Sequence, residues 1–302
     1  MAGWDASQLP VLSGRTAIVT GANSGIGWHI ARELAAHGAR VVLACRDVTR
    51  AKQAAERIRN GGPPVEVDVE LLDLADMSSV RAFAAHWRAP LHLLVNNAGV
   101  VMTERSLTVD GYETTLAVNH LAPFLLTHLL RERLLASGPA RVVNVASDAH
   151  RMVSGFDFDD PMSERKFGFP SFVAGMRVYG MSKLANILFT IELARRLAGT
   201  GVTTNAVHPG GVATRLGTNT GAFGKVITAA LRPFFKTPEQ GAATSLYVAT
   251  SPGLAKTNGR YFADCRERET TSAARDGSAA RRLWNLSCEW VGVAVEDTRW
   301  AP

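Results

Sequence analysis

The chain reads as an α/β protein, a parallel sheet doubly wound with helices on both faces. Three observations predict that class. Strand-like and helix-like segments alternate along most of the 302 residues, a glycine-rich turn separates the first strand from the first helix, and 46% hydrophobic side chains can fill a large core. Undivided α/β domains of this length are common. No repeat or low-complexity linker interrupts the sequence, so residues 1–302 are expected to form one domain.

Arg15 to Thr20 is a short apolar run that reads as a buried strand, and it leads into Gly21-Ala22-Asn23-Ser24-Gly25-Ile26-Gly27. Ile26, Ile30 and Leu34 then fall at helical spacing until His37-Gly38 closes the run. A second strand is expected over Arg40 to Ala44, a helix over Val48 to Arg59, and a third strand over Val65 to Leu71 after the sharp turn Gly61-Gly62-Pro63-Pro64. Further strands are expected at Leu91 to Asn96, Arg141 to Ala146, Val202 to Val207 and Arg260 to Ala263. Right-handed crossovers place the helices on both faces, and the ligand crevice of such a sheet lies at the strand carboxyl ends. Gly21, Arg46, Asp73, Asn96, Ser147 and Pro209 all stand at or just past a strand end.

Two stretches break the alternation, residues 150–177 and 211–236, each just after a strand that ends at the crevice. They are expected to form a rim over the substrate. Phe156, Phe158, Phe167, Phe169, Phe172, Phe223, Phe234 and Phe235 argue against purely solvated loops there, because aromatic rings gain by burial.

Composition excludes several classes. No apolar stretch reaches the roughly eighteen residues of a membrane span, and Met1 to Pro10 lacks the basic start and apolar core of a secretory signal, so a cytoplasmic protein is expected. Cys45, Cys265 and Cys288 are odd in number and scattered, which argues against a disulfide framework or a zinc site. The net charge of +6 suits an anionic cofactor better than nucleic acid. Its basic clusters, Arg57-Ile58-Arg59 and Arg281-Arg282, lie in helix-like runs without interleaved aromatic stacking residues.

The glycine turn can carry a dinucleotide. Glycines permit a tight bend and let backbone N–H groups approach a pyrophosphate, whose charge the following helix N-terminus favours. Tyr179 and Lys183 form a Tyr-x-x-x-Lys pair on one helix face, which brings an ammonium within a turn of a phenol. A free phenol has a pKa of about 10, and a neighbouring cation is expected to draw it toward working pH, as acid–base chemistry requires. An isolated pair of this kind is more often a surface contact; the glycine turn reverses that weighting. Ser147 closes the run Val142-Val143-Asn144-Val145-Ala146, where its hydroxyl can donate to a substrate oxygen. A hydrolytic triad of Ser147, Asp148 and His150 is disfavoured, since no Gly-x-Ser-x-Gly elbow surrounds the serine and the glycine turn would be left unexplained.

Gly21, Gly25 and Gly27, with Asn96-Asn97-Ala98-Gly99, Asn119, Ser147 and the Tyr179/Lys183 pair, resemble the classical short-chain dehydrogenase/reductase family, whose fold is Rossmann-type. Ala44-Cys45-Arg46-Asp47, Ser182 to Phe189, Val207-His208-Pro209-Gly210 and Leu283 to Cys288 narrow the resemblance to the retinol dehydrogenase-like branch, over roughly residues 10 to 295. Animal members of that branch often carry an N-terminal membrane anchor, and from Met1 to Pro10 none is expected here. The gap between Ser147 and Tyr179 is longer than in most classical members, so substrate shape does not transfer.

The resemblance implies a catalytic set of Asn119, Ser147, Tyr179 and Lys183. Asn119 would bend its helix and hold a water for proton relay, and Lys183 would also bind the nicotinamide ribose. It implies that Gly21, Ser24, Gly25, Ile26 and Gly27 surround the diphosphate, Asp73 and Leu74 meet the adenine, and Asn96 and Ala98 flank the cofactor. Pro209, Val212 and Thr214 would hold the nicotinamide carboxamide. Cys45 stands where NAD-preferring members have an acid, and Arg46 matches the 2′-phosphate arginine, so NADP(H) is favoured over NAD(H). The expected activity is interconversion of a carbonyl and an alcohol on a fairly large apolar small molecule, without a nucleic-acid partner. The resemblance also implies a homo-oligomer paired through the long helices that carry Asn119 and Tyr179. The alternative is a non-catalytic NADP(H)-binding regulatory or scaffold protein, against which the intact Ser147, Tyr179 and Lys183 count.

Overall fold

The computed structural model describes residues 4–168, 170–211 and 236–295. Its sheet has eight strands in the order β3-β2-β1-β4-β5-β6-β7-β8. These are β1 (Thr16–Thr20), β2 (Arg40–Cys45), β3 (Val67–Leu71), β4 (Leu93–Asn96), β5 (Ala140–Val145), β6 (Val202–His208), β7 (Tyr261–Ala263) and β8 (Arg266–Glu267). All neighbours pair parallel except β7 with β8. The first seven lie within two residues of the expected strands. The eighth was not anticipated: Asp264 and Cys265 both adopt positive φ (53° and 55°) and reverse the chain in a tight hairpin.

The chain lays down β1, β2 and β3 outward, then returns to put β4 against the other side of β1. That return is the topological switch point, and it parts the loops after β1 and β4 to leave a crevice.

Helices α1 (Gly25–Ala36), α2 (Val48–Arg59) and α3 (Met77–His86) are followed by α4 (Thr114–Leu116), which runs through a π-helical turn (Ala117–Leu121) into α5 (Ala122–Leu129). Then come α6 (Arg131–Ala136), α7 (Ser171–Arg196), α8 (Pro238–Thr250) and α9 (Gly277–Val291). Local chemistry starts them. Asp47, Asp76 and Asp276 cap α2, α3 and α9 by accepting first-turn amides, and Thr237 with Gln240 forms a capping box on α8.

Strand side chains alternate between two cores, as a period of two requires. Ile18, Val42 and Leu94 face the layer of α3, α5, α7 and α9, whereas Val19, Leu43 and Val95 face α1, α2 and α8. Each fully buried branched side chain of this kind contributes about 1.5–3 kcal/mol. Among the described residues, no helix is long and apolar enough to cross a membrane.

Phe156 and Phe158 lie tilted to each other with ring centres 5.0 Å apart and pack into the core, with the Arg282 guanidinium 4.2 Å above the Phe158 ring, so these aromatics anchor part of the 150–177 stretch. Trp284 packs edge-on to Phe124 at 4.9 Å and stacks on Phe189 at 6.0 Å, placing α9 across α5 and α7. Pairing of two copies through those helices would have to use the surface α9 leaves uncovered. Phe169, Phe223, Phe234, Phe235 and most of the 211–236 stretch lie outside the described residues.

Candidate active site

A cleft of about 1430 Å³ opens at the carboxyl ends of the central strands. Gly21, Ser24, Gly25, Ile26 and Gly27 line it after β1, Ala98 and Gly99 after β4, and Ser147, Tyr179, Lys183 and Pro209 toward β5 and β6. Sequence positions far apart thus share one wall system.

The glycine turn is built for close approach. A Cβ on Gly27 would stand 2.5 Å from Asn97 Nδ2 and 2.7 Å from the Gly21 carbonyl oxygen, both of which are fixed. Asn97 Nδ2 donates to the Thr20 carbonyl at 2.8 Å, and the Thr20 hydroxyl accepts from the amides of Asn97 and Ala98, each at 3.0 Å. Thr20 and Asn97 therefore tie the ends of β1 and β4 together. We predict that Gly27→Ala lowers stability by about 1–3 kcal/mol through overpacking, measured by urea unfolding, and weakens dinucleotide binding more than an exposed Gly62→Ala control.

The same turn fits a pyrophosphate. Ser24 stands at the N-cap of α1 yet makes no side-chain capping bond, unlike the aspartates of α2, α3 and α9. The first-turn amides of α1 are left to an anion arriving from the cleft.

At the other end, α7 approaches the turn after β5 closely. A Cβ on Gly180 would lie 2.6 Å from the Ala149 carbonyl oxygen, so only glycine permits this contact. It sets Tyr179 beside Ser147 on the cleft wall, where the serine hydroxyl favours the phenolate. Lys183 Nζ donates to the Val145 carbonyl at 2.7 Å and lies 5.5 Å from the centre of the Tyr179 ring. Burial pushes the phenol up to about 12, against the opposing effect of the Ser147 hydroxyl, and pushes the ammonium down to about 7. The expectation that Lys183 draws the phenol down is therefore corrected: loss of water dominates both groups, and Nζ is aimed at a strand-end carbonyl.

Asn119 sits in the π-helical turn, a distortion that sequence periodicity does not mark. Its Oδ1 accepts from the Val100 amide at 2.7 Å, and its Nδ2 donates to the Val100 carbonyl and to Ser182 Oγ, each at 2.9 Å. The side chain braces the β4 loop against α7 and does not line the cleft.

Four residues expected to contact the cofactor are not among those that line the glycine-turn cleft. Asn96 is buried, its Nδ2 donating to Asn144 Oδ1 at 2.8 Å and Thr127 Oγ1 at 3.2 Å, because strand alternation turns it inward; Asn97 takes the cleft position. Asp73 and Arg46 line a separate hollow of about 580 Å³ beside α3, and Leu74 is buried in the core. Asp73 Oδ1 accepts the Ala75 amide at 2.9 Å, a local turn contact. Val212 and Thr214 lie outside the described residues. Sequence reasoning missed Val145, whose carbonyl receives Lys183, because a backbone acceptor leaves no mark in residue identity. Among the described residues, no group of three or more His, Cys, Asp or Glu side chains is placed to hold a metal ion.

The family model for short chain dehydrogenases matches residues 15–156 and 170–223. The chain belongs to that family. It is 49% identical to retinol dehydrogenase 12 of Homo sapiens across 96% of this chain and 89% of that protein, which places it in the retinol dehydrogenase-like branch. The crystal structure of an uncharacterized protein from Mycobacterium paratuberculosis superposes with a TM-score of 0.78 at 34% identity, covering 98% of this chain and all (100%) of that one. The Pseudomonas aeruginosa RhlG/NADP active-site complex matches with a TM-score of 0.65 at 28% identity, over 83% of this chain and 95% of the other. This short-chain dehydrogenase is therefore an oxidoreductase of carbonyl and alcohol groups that works with a nicotinamide cofactor.

Proposed function

We propose that the protein interconverts a carbonyl and an alcohol on a fairly large apolar substrate with NADP(H), using Tyr179 as general acid and base. The observation that carries this reading is the meeting of Ser147, Tyr179 and Lys183 on the wall of the cleft that the glycine turn opens. A bound nicotinamide supplies or accepts the hydride. Tyr179 delivers the proton to the substrate oxygen in reduction, a task suited to a phenol that burial keeps protonated at neutral pH. Ser147 Oγ donates to the same oxygen and steadies its developing charge. Lys183, anchored on Val145, fixes the phenol's surroundings and stands ready to hold the cofactor ribose.

Val100 and Val101 give the cleft an apolar wall, and the relative named for retinol, a long apolar alcohol, supports the same substrate class. The NADP reading rests on the end of β2. Cys45 is buried, with its thiol pushed up to about 11 by burial, so it offers no anion to a ribose hydroxyl. The Asp47 carboxylate is engaged by the Arg50 amide at 2.9 Å and by Arg50 Nε at 3.2 Å, leaving Arg46 exposed and without an ion pair among the described residues. Arg46→Asp is expected to weaken NADPH binding by ~10–100-fold, consistent with loss of a charge-assisted phosphate contact, and to leave NADH within about threefold. Fluorescence titration of both cofactors checks it.

Initial rates with NADPH and NADH over a panel of aldehydes, ketones and alcohols test the proposal, with Tyr179→Phe as control. Absence of turnover anywhere on the panel, or turnover unchanged in the control, would overturn it.

A further inference from the structure

Beside Ser147, a polar cluster joins four elements and is not used by the chemistry above. Asp148 follows Ser147 at the end of β5 and begins a short helical turn, Asp148–Met152. Its Oδ1 accepts from the Tyr261 hydroxyl on β7 at 2.9 Å, its Oδ2 lies 3.6 Å from His208 Nε2 at the end of β6, and its backbone N–H donates to His208 Nδ1 at 3.3 Å. Arg151 Nε completes the set at 3.4 Å from Oδ1, while its Nη2 reaches the Glu269 carbonyl at 2.5 Å, beyond β8. One carboxylate thus gathers the ends of β5, β6 and β7 and the segment after β8.

Both residues that this carboxylate spans border the proposed chemistry. Ser147 lines the cleft with Tyr179, and His208 immediately precedes Pro209 and Gly210 in the cleft wall. Underneath, His150 Nδ1–H donates to the Ser147 carbonyl at 2.7 Å, and the His150 ring packs edge-on to Tyr261 at 5.3 Å. The Ser147 backbone is held from the buried side by His150, and its successor Asp148 is held from the rim by Tyr261 and His208, which together leave the hydroxyl little freedom to swing.

We propose that Asp148 is a positioning residue: through Tyr261 and His208 it fixes the Ser147 corner and the Pro209–Gly210 loop in one frame. The inference rests on the functional reading above and extends it to a residue that touches neither substrate nor cofactor. Because Asp148 acts through Ser147, its loss and the loss of the Ser147 hydroxyl cannot add.

The test is a double-mutant cycle on carbonyl reduction with NADPH, read as kcat and KM alongside Tm. Ser147→Ala is expected to lower kcat by ~10²–10³-fold, as loss of an oxyanion donor does. Asp148→Ala is expected to lower kcat by ~10–100-fold, the penalty of a small misplacement, with KM changed less than about threefold. The double variant should lie within about threefold of Ser147→Ala. Asp148→Asn, which keeps an acceptor for Tyr261, should recover most of the lost kcat, which a nonspecific structural defect would not allow. Multiplicative losses in the double variant, or failure of Asn to restore what Ala loses, would overturn the assignment. A crystal structure of Asp148→Ala decides independently of turnover: a displaced Ser147 hydroxyl supports the role, and one unmoved against Tyr179 overturns it. If wild-type protein reduces nothing on the panel, the functional reading fails, and that structure still judges Asp148.

Discussion

Tyr179→Phe is expected to lower kcat for carbonyl reduction by ~10³-fold, within the range general acid–base catalysis supplies, while NADPH binding stays within about threefold. The substitution deletes one oxygen and little volume. The ring keeps its place because α7 is set by the Gly180 contact with Ala149, not by the hydroxyl. What is lost is the hydroxyl that serves as proton donor on the cleft wall. Pre-steady-state measurement of NADPH oxidation reads the chemical step directly. A loss smaller than about tenfold would mean that another group supplies the proton. Tyr261 is the nearest test of that alternative: burial and its bond to Asp148 push its phenol strongly upward, which leaves it a poor acid.

The doubly wound sheet was legible because its determinants are local and periodic. Ile26, Ile30 and Leu34 declare the face of α1, and the helix over Val48 to Arg59 matches its expected bounds, since Asp47 caps one end and a glycine-rich turn follows the other. The cleft was legible wherever a residue's type is also its reason for being there, as at Gly27. What escaped depends on contacts between distant segments. Nothing in Asn96-Asn97 tells which amide faces the sheet interior; the register of β4 decides, and it turns Asn96 toward Asn144 and presents Asn97 to the cleft. The β7–β8 hairpin lacks the Asn-Gly pair that usually marks such turns. The sign of the pKa effects at Tyr179 and Lys183 was hidden for a related reason: spacing along a helix reports proximity, but only packing reports how much water each group has lost.

Lys183→Met gives the second large effect, in which activity and stability move in opposite directions. Lys183 is 3% exposed, and burial lowers its pKa from 10.5 to about 7. The unfolded chain therefore binds a proton that the folded chain releases between those two values, and stability must rise with pH across that window. Below about pH 7 the ammonium is charged in both states and the folded protein bears the full cost of burying it. Methionine has a similar length and no charge, so the variant is expected to be more stable at low pH and to lose that advantage on going alkaline. Between pH 6 and pH 9 the difference from wild type should shrink by about 2–3 kcal/mol, or roughly 5–10 °C in Tm for a chain of this size. The effect of the bond to the Val145 carbonyl on the charged form is already contained in the folded-state pKa, and methionine does not titrate, so the slope with pH reports the proton that Lys183 releases. Differential scanning calorimetry of both proteins at those two pH values measures it, and equal shifts at both would show that Lys183 is not held in a dry site. Turnover of the variant should fall at every pH. A buried cation that weakens the fold while supporting the reaction is the trade expected of a residue kept for chemistry.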